Sequence, residues 1–122
     1  MKVEVWADVV CPWCYIGRKR FEKALADFPG KESVEVVYRS FELDPGAPTE
    51  VDMSLDQLLA AKYGLSVVEA HAANERVTKT AAAEGLVFHL DRARPANTLD
   101  AHRLLQLATV RRLRPAVEER FL

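Results

Sequence analysis

The sequence predicts a mixed α/β chain in which one strand–helix–strand unit is followed by a mainly helical region. Three observations predict it. A β-branched run opens the chain at Val3-Glu4-Val5-Trp6-Ala7-Asp8-Val9-Val10, and a second alternating run follows at Val34-Glu35-Val36-Val37-Tyr38-Arg39-Ser40-Phe41. Between them the apolar period turns helical, and after the loop Asp44-Pro45-Gly46-Ala47-Pro48 the strand signals stop.

In the first run Val3, Val5 and Ala7 alternate with Glu4 and Asp8, which predicts a strand at about residues 2–9. From Pro12 to Phe28, the residues Ile16, Phe21, Leu25 and Phe28 form an apolar stripe, with Arg18, Lys19, Glu22 and Lys23 facing away from it. Pro12 suits the first helical position, where its missing N–H would be unpaired anyway, and Pro29-Gly30 stops the helix. The second run is a strand. Short links on either side of the helix predict parallel strands joined by a right-handed crossover.

Ser54 with Gln57 and Ser66 with Glu69 have capping-box spacing and open helices at about 54–63 and 66–84, separated at Gly64 and ended by Gly85. Leu86-Val87-Phe88 is a short apolar link, and Asp91-Arg92-Ala93-Arg94-Pro95 is a polar loop. Leu99, Leu104, Leu105 and Ala108 mark an amphipathic helix to about Arg112, and Pro115 begins one or two further turns.

With 122 residues, of which 49% are hydrophobic and 29% charged, the chain has the composition of one ordinary soluble globular domain. Its net charge is −1 with both signs interspersed, which favours neither a nucleic-acid groove nor a membrane surface. Basic clusters such as Arg18-Lys19-Arg20 and Arg111-Arg112 read as solvated helix faces. No apolar run approaches the roughly 18 residues of a membrane span. Met1-Lys2-Val3-Glu4-Val5 lacks the apolar core of a signal peptide, so as a natural N-terminus it predicts a cytoplasmic protein whose thiols rest mainly reduced. The end, Val117-Glu118-Glu119-Arg120-Phe121-Leu122, stops without a terminator, and a two-stranded parallel sheet has open edges; the sequence reads as cut short.

The chemistry centres on Cys11-Pro12-Trp13-Cys14, which holds both cysteines of the chain at the strand-to-helix junction. Two thiols at this spacing are a reactive pair, half of a metal site or inert. A zinc site needs further ligands, and His71, His89 and His102 lack the short spacing of a second pair; each reads as a surface or capping histidine. No metal or resident cofactor is expected. A Cys–His hydrolase leaves the second cysteine unexplained. For thiol–disulfide exchange the pattern is apt. The helix N-terminus lowers the pKa of Cys11, and a thiol at 8.5 is only about 3% ionised at pH 7, so full ionisation multiplies the reactive fraction roughly thirtyfold. Lower intrinsic nucleophilicity cancels part of that gain. Cys11 is thus the expected nucleophile and Cys14 the resolving thiol. Trp13 carries no positive charge; it either offers a flat apolar contact to a substrate or packs.

The stretch Asp8-Val9-Val10-Cys11-Pro12-Trp13-Cys14-Tyr15-Ile16-Gly17-Arg18-Lys19-Arg20-Phe21-Glu22 resembles the DsbA superfamily, and within it the cytosolic FrnE-like branch that groups with 2-hydroxychromene-2-carboxylate isomerases and kappa-class glutathione transferases. Tyr38-Arg39-Ser40-Phe41-Glu42-Leu43-Asp44-Pro45 and Asn97-Thr98-Leu99-Asp100-Ala101-His102-Arg103 carry the same resemblance, which runs the length of the chain. It implies a thioredoxin-like fold: residues 1–44 would be the first half of that domain and 45–122 most of a helical insertion, with the C-terminal half absent. That half supplies a cis-proline facing the cysteines, a place that none of Pro29, Pro45, Pro48, Pro95 and Pro115 takes.

The implied function is a thiol–disulfide oxidoreductase acting on protein or small-molecule disulfides and thiols, with glutathione as a candidate co-substrate and a homo-oligomer as a candidate assembly. The alternative is a glutathione-dependent isomerase or transferase of aromatic small molecules, whose members characteristically carry serine where Cys11 stands. Pro12, Trp13 and Asn97 are the further candidates for tuning or substrate contact. Asn97 belongs to a motif shared with the isomerase side, and it also suits a helix N-cap.

Overall fold

A computed structural model describes residues 1–121. The chain divides into two compact units: Met1–Pro45 together with the segment from Thr98 onward, and Gly46–Asn97. Residues 45–122, read from the sequence as one helical block, therefore comprise a self-contained middle and a final pair of helices that packs with the N-terminal unit.

The first unit is built on strands β1 (Lys2–Ala7) and β2 (Glu35–Ser40), which run parallel with Val3 opposite Val36, Val5 opposite Tyr38 and Ala7 opposite Ser40. Helix α1 (Pro12–Ala26) joins them. The pleat puts Val3, Val5 and Ala7 on the covered face and Lys2, Glu4 and Trp6 on the open one, where Glu4 pairs with Lys2 and Arg39, each at 3.1 Å. β1 and α1 are each shorter than the periodicity suggested. Asp8 ends the strand by turning its carboxylate into the protein, and α1 closes at Asp27, before Phe28.

The two final helices, here α4 (Leu99–Val110) and α5 (Arg114–Glu119), pack on each other, and α4 contacts β2. Leu105 from α4 and Ile16 from α1 are the largest fully buried side chains among the described residues. Each contributes about 1.5–3 kcal/mol of hydrophobic stabilisation. Of the expected stripe Leu99, Leu104, Leu105 and Ala108, Leu105 and Ala108 are buried, together with Thr98 and His102, whereas Leu99 and Leu104 are half exposed. His102 is thus not a surface residue.

Arg18 also departs from its expected solvated face. Its guanidinium lies 2.8 Å from Glu22, 2.8 Å from Glu118 of α5 and 4.9 Å from the centre of the Tyr38 ring. Glu118 is held a second time by Arg114 at 2.9 Å. Four charged side chains, Arg18 and Glu22 from α1 and Arg114 and Glu118 from α5, therefore satisfy one another where burial would otherwise be prohibitive.

The second unit contains α2 (Leu55–Tyr63) and α3 (Val67–Ala83), which pack together. Both capping boxes form as the spacing predicts: Ser54 Oγ accepts from Gln57 N–H, Ser66 Oγ accepts from Glu69 N–H, and each partner side chain bonds back. Gly64 takes φ +67° to end α2, and Gly85 takes φ +80° after α3. Inside the unit, Asp56 accepts hydrogen bonds from Asn74 at 2.6 Å and from His71 at 2.8 Å. No helix among the described residues is long and apolar enough to cross a membrane.

Candidate active site

Cys11 is the N-cap of α1, in an extended conformation (φ −96°, ψ 107°), and Pro12 occupies the first helical position. This follows from local chemistry. Pro12 favours extended backbone in the residue before it and has the fixed φ a helix start needs. The chain turns from β1 into α1 with Cys11 N–H bonded to Asp8 O at 3.4 Å and Cys14 N–H bonded to Cys11 O at 3.1 Å. Both cysteines are free thiols and half-buried.

The two sulfurs are electrostatically unlike. Cys11 is pushed down to about 6, chiefly because the Cys14 thiol donates a hydrogen bond to it. Burial opposes this shift, the backbone N–H groups of Cys14 and Trp13 add to it, and the Asp8 charge opposes it. Cys14 is held far above the usual thiol range because it is the donor in that bond, with burial and the neighbouring negative charges adding to the effect. At pH 7 a thiol at about 6 is roughly 90% ionised.

Under the dithiol lies a second pair that the sequence reading missed. Asp8, 3% exposed, accepts from Leu43 N–H at 2.8 Å through Oδ2 and contacts His102 Nε2 at 2.9 Å through Oδ1. A signal for it existed in the sequence: His102 falls at the spacing of the Leu105–Ala108 face, and an acid interrupts the apolar run just before Cys11. What the pattern did not reveal is that the two meet from 94 positions apart.

The remaining candidates lie in different settings. Trp13 follows Pro12 in the first turn with 54% of its surface open, so it does not serve as core. Val10, Phe41 and Leu43 are also about half exposed. Asn97 does not cap α4, whose N-cap is Thr98. In the second unit its side chain donates to Ala47 O and its N–H to Pro48 O, both at 2.9 Å, tying the two ends of that unit together. His71 lies exposed on α3, and His89 precedes a 3₁₀ turn at Leu90–Arg92. Among the described residues no three His, Cys, Asp or Glu side chains gather as a metal site.

A parallel βαβ unit with a Cys-x-x-Cys pair opening its helix defines a thioredoxin-like module. The chain belongs to the family described as DSBA-like thioredoxin domain, whose model matches residues 2–122. It is similar to the crystal structure of a probable DsbA oxidoreductase from Streptomyces coelicolor, at 47% identity and a TM-score of 0.94, over 99% of this chain and 52% of that one. It is also 40% identical over 50 residues to the uncharacterized protein YwbO of Bacillus subtilis (strain 168), a match covering 41% of this chain and 23% of that protein. The chain thus spans about half the length of the solved relative.

Proposed function

We propose that the protein is a cytoplasmic thiol–disulfide oxidoreductase working through Cys11 and Cys14. The observation that carries this reading is the placement of the pair: two free thiols, Cys11 at the N-cap of α1 and Cys14 one turn inside, where the hydrogen bond from Cys14 pushes Cys11 down and Cys14 up. The low-pKa sulfur attacks and leaves well, and its partner stays protonated until needed. In the reducing direction the Cys11 thiolate attacks a substrate disulfide, forming a mixed disulfide and releasing one thiolate. Cys14 then loses its proton and attacks Cys11 Sγ; the Cys11–substrate bond breaks, the second substrate sulfur leaves with the electron pair, and the protein holds the disulfide. Two electrons pass to the substrate, and the reverse sequence oxidises a dithiol.

Substrates are protein or small-molecule disulfides and thiols, glutathione among them. The exposed Trp13 offers them an apolar contact, and Pro12 fixes the turn that presents Cys11. The test is catalysed disulfide exchange by this chain, with Cys11→Ser and Cys14→Ser alongside. Exchange by the unchanged chain that both substitutions abolish is the expected result. Glutathione-dependent isomerisation of an aromatic compound that survives loss of both cysteines would replace this reading.

A further inference from the structure

The second unit carries a cleft that takes no part in the chemistry of the dithiol. It has a volume of about 280 Å³ and lies along one face of α3, with Asp56 of α2 and the residues Phe88, Leu90 and Asp91 completing its walls. At about 30 Å³ per water it holds roughly nine, which is the size of a small organic molecule rather than of an ion.

The polar groups of this cleft divide into those that are spent and those that are open. Both Asp56 oxygens are spent, for they accept from Asn74 Nδ2 at 2.6 Å and from His71 Nδ1 at 2.8 Å. An ionised carboxylate only accepts, so Asn74 must present its NH2 group to Asp56. Its carbonyl Oδ1 is left without a hydrogen bond among the described residues, although Asn74 lines the cleft and is only 8% exposed. Glu75 and Lys79 stand in the order that ordinarily forms an ion pair on a helix. Here that pair is not made. Glu75 lies 3.5 Å from His71 Nε2, and Lys79 has no ion pair or hydrogen bond among the described residues. Asp91, on the 3₁₀ turn, is likewise unpaired among them. Thr78 Oγ1 donates to Asn74 O at 2.9 Å and keeps its lone pairs for a donor. Phe88 and Leu90 supply an apolar wall.

We propose that this cleft binds a small zwitterion whose ammonium and carboxylate are separated by about one helical turn and joined by an apolar body. Glu75 and Asn74 Oδ1 take the ammonium, Lys79 takes the carboxylate, and the body lies on Phe88 and Leu90. Along α3 the Glu75 and Lys79 positions are about 6 Å apart, at a rise of about 1.5 Å per residue. Two residues of extended chain span roughly 7 Å, whereas a single α-amino acid falls short. Asp91 adds a second open carboxylate and disfavours any ligand of net negative charge. A dipeptide with free ends and an ω-amino acid such as ε-aminocaproate share this chemistry; only the dipeptide also has an inner N–H for Thr78 Oγ1. The cleft lies wholly within the second unit and needs neither cysteine.

The experiment is titration of the ¹⁵N-labelled chain with Ala-Leu and, separately, with ε-aminocaproate, followed through the amide signals. Saturable shifts are expected at Asn74, Thr78, Lys79 and Phe88, with none at Cys11 or Trp13. Lys79→Gln and Glu75→Gln, both at exposed positions, should each weaken Ala-Leu binding by about tenfold, as for the loss of one charge-assisted hydrogen bond. An unchanged melting temperature shows that each variant is folded. On the unchanged chain, N-acetyl-Ala-Leu and Ala-Leu amide should lose a similar factor, and free leucine should bind no better than they do. Equal binding of ε-aminocaproate and Ala-Leu would support recognition through the two end charges alone, and tighter binding of Ala-Leu would support the added contact to Thr78. Absence of saturable shifts with either compound up to about 10 mM would overturn the proposal. So would shifts confined to the first unit, blocked peptides that bind the unchanged chain as well as Ala-Leu does, or affinities unaltered in the two folded variants. Each of these results would leave the exchange reaction at Cys11 and Cys14 standing.

Discussion

Arg18, one turn after Cys14, reaches 2.8 Å to Glu118, a hundred residues further along the chain. This pair pins the helix that carries the dithiol to the last helix described, and Arg114 braces it from the far side at 2.9 Å. Removing the carboxylate leaves the buried Arg114 without a charged partner and Arg18 with Glu22 alone. Glu118→Ala is therefore expected to lower unfolding stability by about 3 kcal/mol, as for other buried pairs that lose one member. Urea titration measures it. A loss under about 0.5 kcal/mol would mean that the network behaves like an exposed ion pair.

The Cys11 sulfur should lose reactivity in acid. Its folded value, about 6, lies below the unfolded one, so the thiolate stabilises the reduced protein above the unfolded value, and that contribution is lost as pH falls through about 6. Iodoacetamide trapping should inflect near the same pH. Because the Cys14 thiol is the leading cause, Cys14→Ala should move the inflection upward, towards the roughly 8.5 of an unperturbed thiol. An unmoved inflection would assign the effect to the helix N-terminus instead.

His71 is raised above 6.5, first by its hydrogen bond to Asp56. Stabilisation by a group shifted upward is complete below the unfolded value and is lost as pH rises through the folded one. The difference in melting temperature between wild type and His71→Gln should therefore be largest below pH 6.5 and shrink above it. A difference that grows with pH would contradict the pairing.

Arg112 ends α4 at φ +58°, the one non-glycine residue with positive φ among those described, while Leu113 N–H closes onto Ala108 O at 2.7 Å. A β-carbon is strained there by about 1 kcal/mol. Arg112→Gly should raise stability by up to about 1 kcal/mol, since glycine adopts this cap freely but also gains freedom when unfolded. Thermal melting checks it, and a net loss would show that the Arg112 side chain does more than close the helix.

What could be read from the sequence was local. Ser54 with Gln57 and Ser66 with Glu69 satisfy each other within one turn, so spacing alone located both helix starts. The Cys11–Cys14 junction was legible for the same reason: Pro12 and the end of an apolar run fix it within a few residues. Arg18, Asp8 and His102 were not legible, because what brings a charged side chain inward is a partner far along the chain. Arg18 looks like its neighbours Lys19 and Arg20 until Glu118 is in place, and His102 reads as an ordinary helical histidine until Asp8 turns to meet it. Asn97 misled differently. Its residue type suits an N-cap, yet the adjacent Thr98 takes that position and Asn97 bonds to the chain at Ala47 and Pro48.

The most direct test of the dithiol's division of labour is mass analysis after incubating Cys14→Ser and Cys11→Ser separately with glutathione disulfide. The account predicts a stable glutathione adduct on Cys11 in the Cys14→Ser protein and little or none on Cys14 in the Cys11→Ser protein. An adduct that accumulates on Cys14 instead, or equally on both, would contradict the assignment of Cys11 as the attacking sulfur.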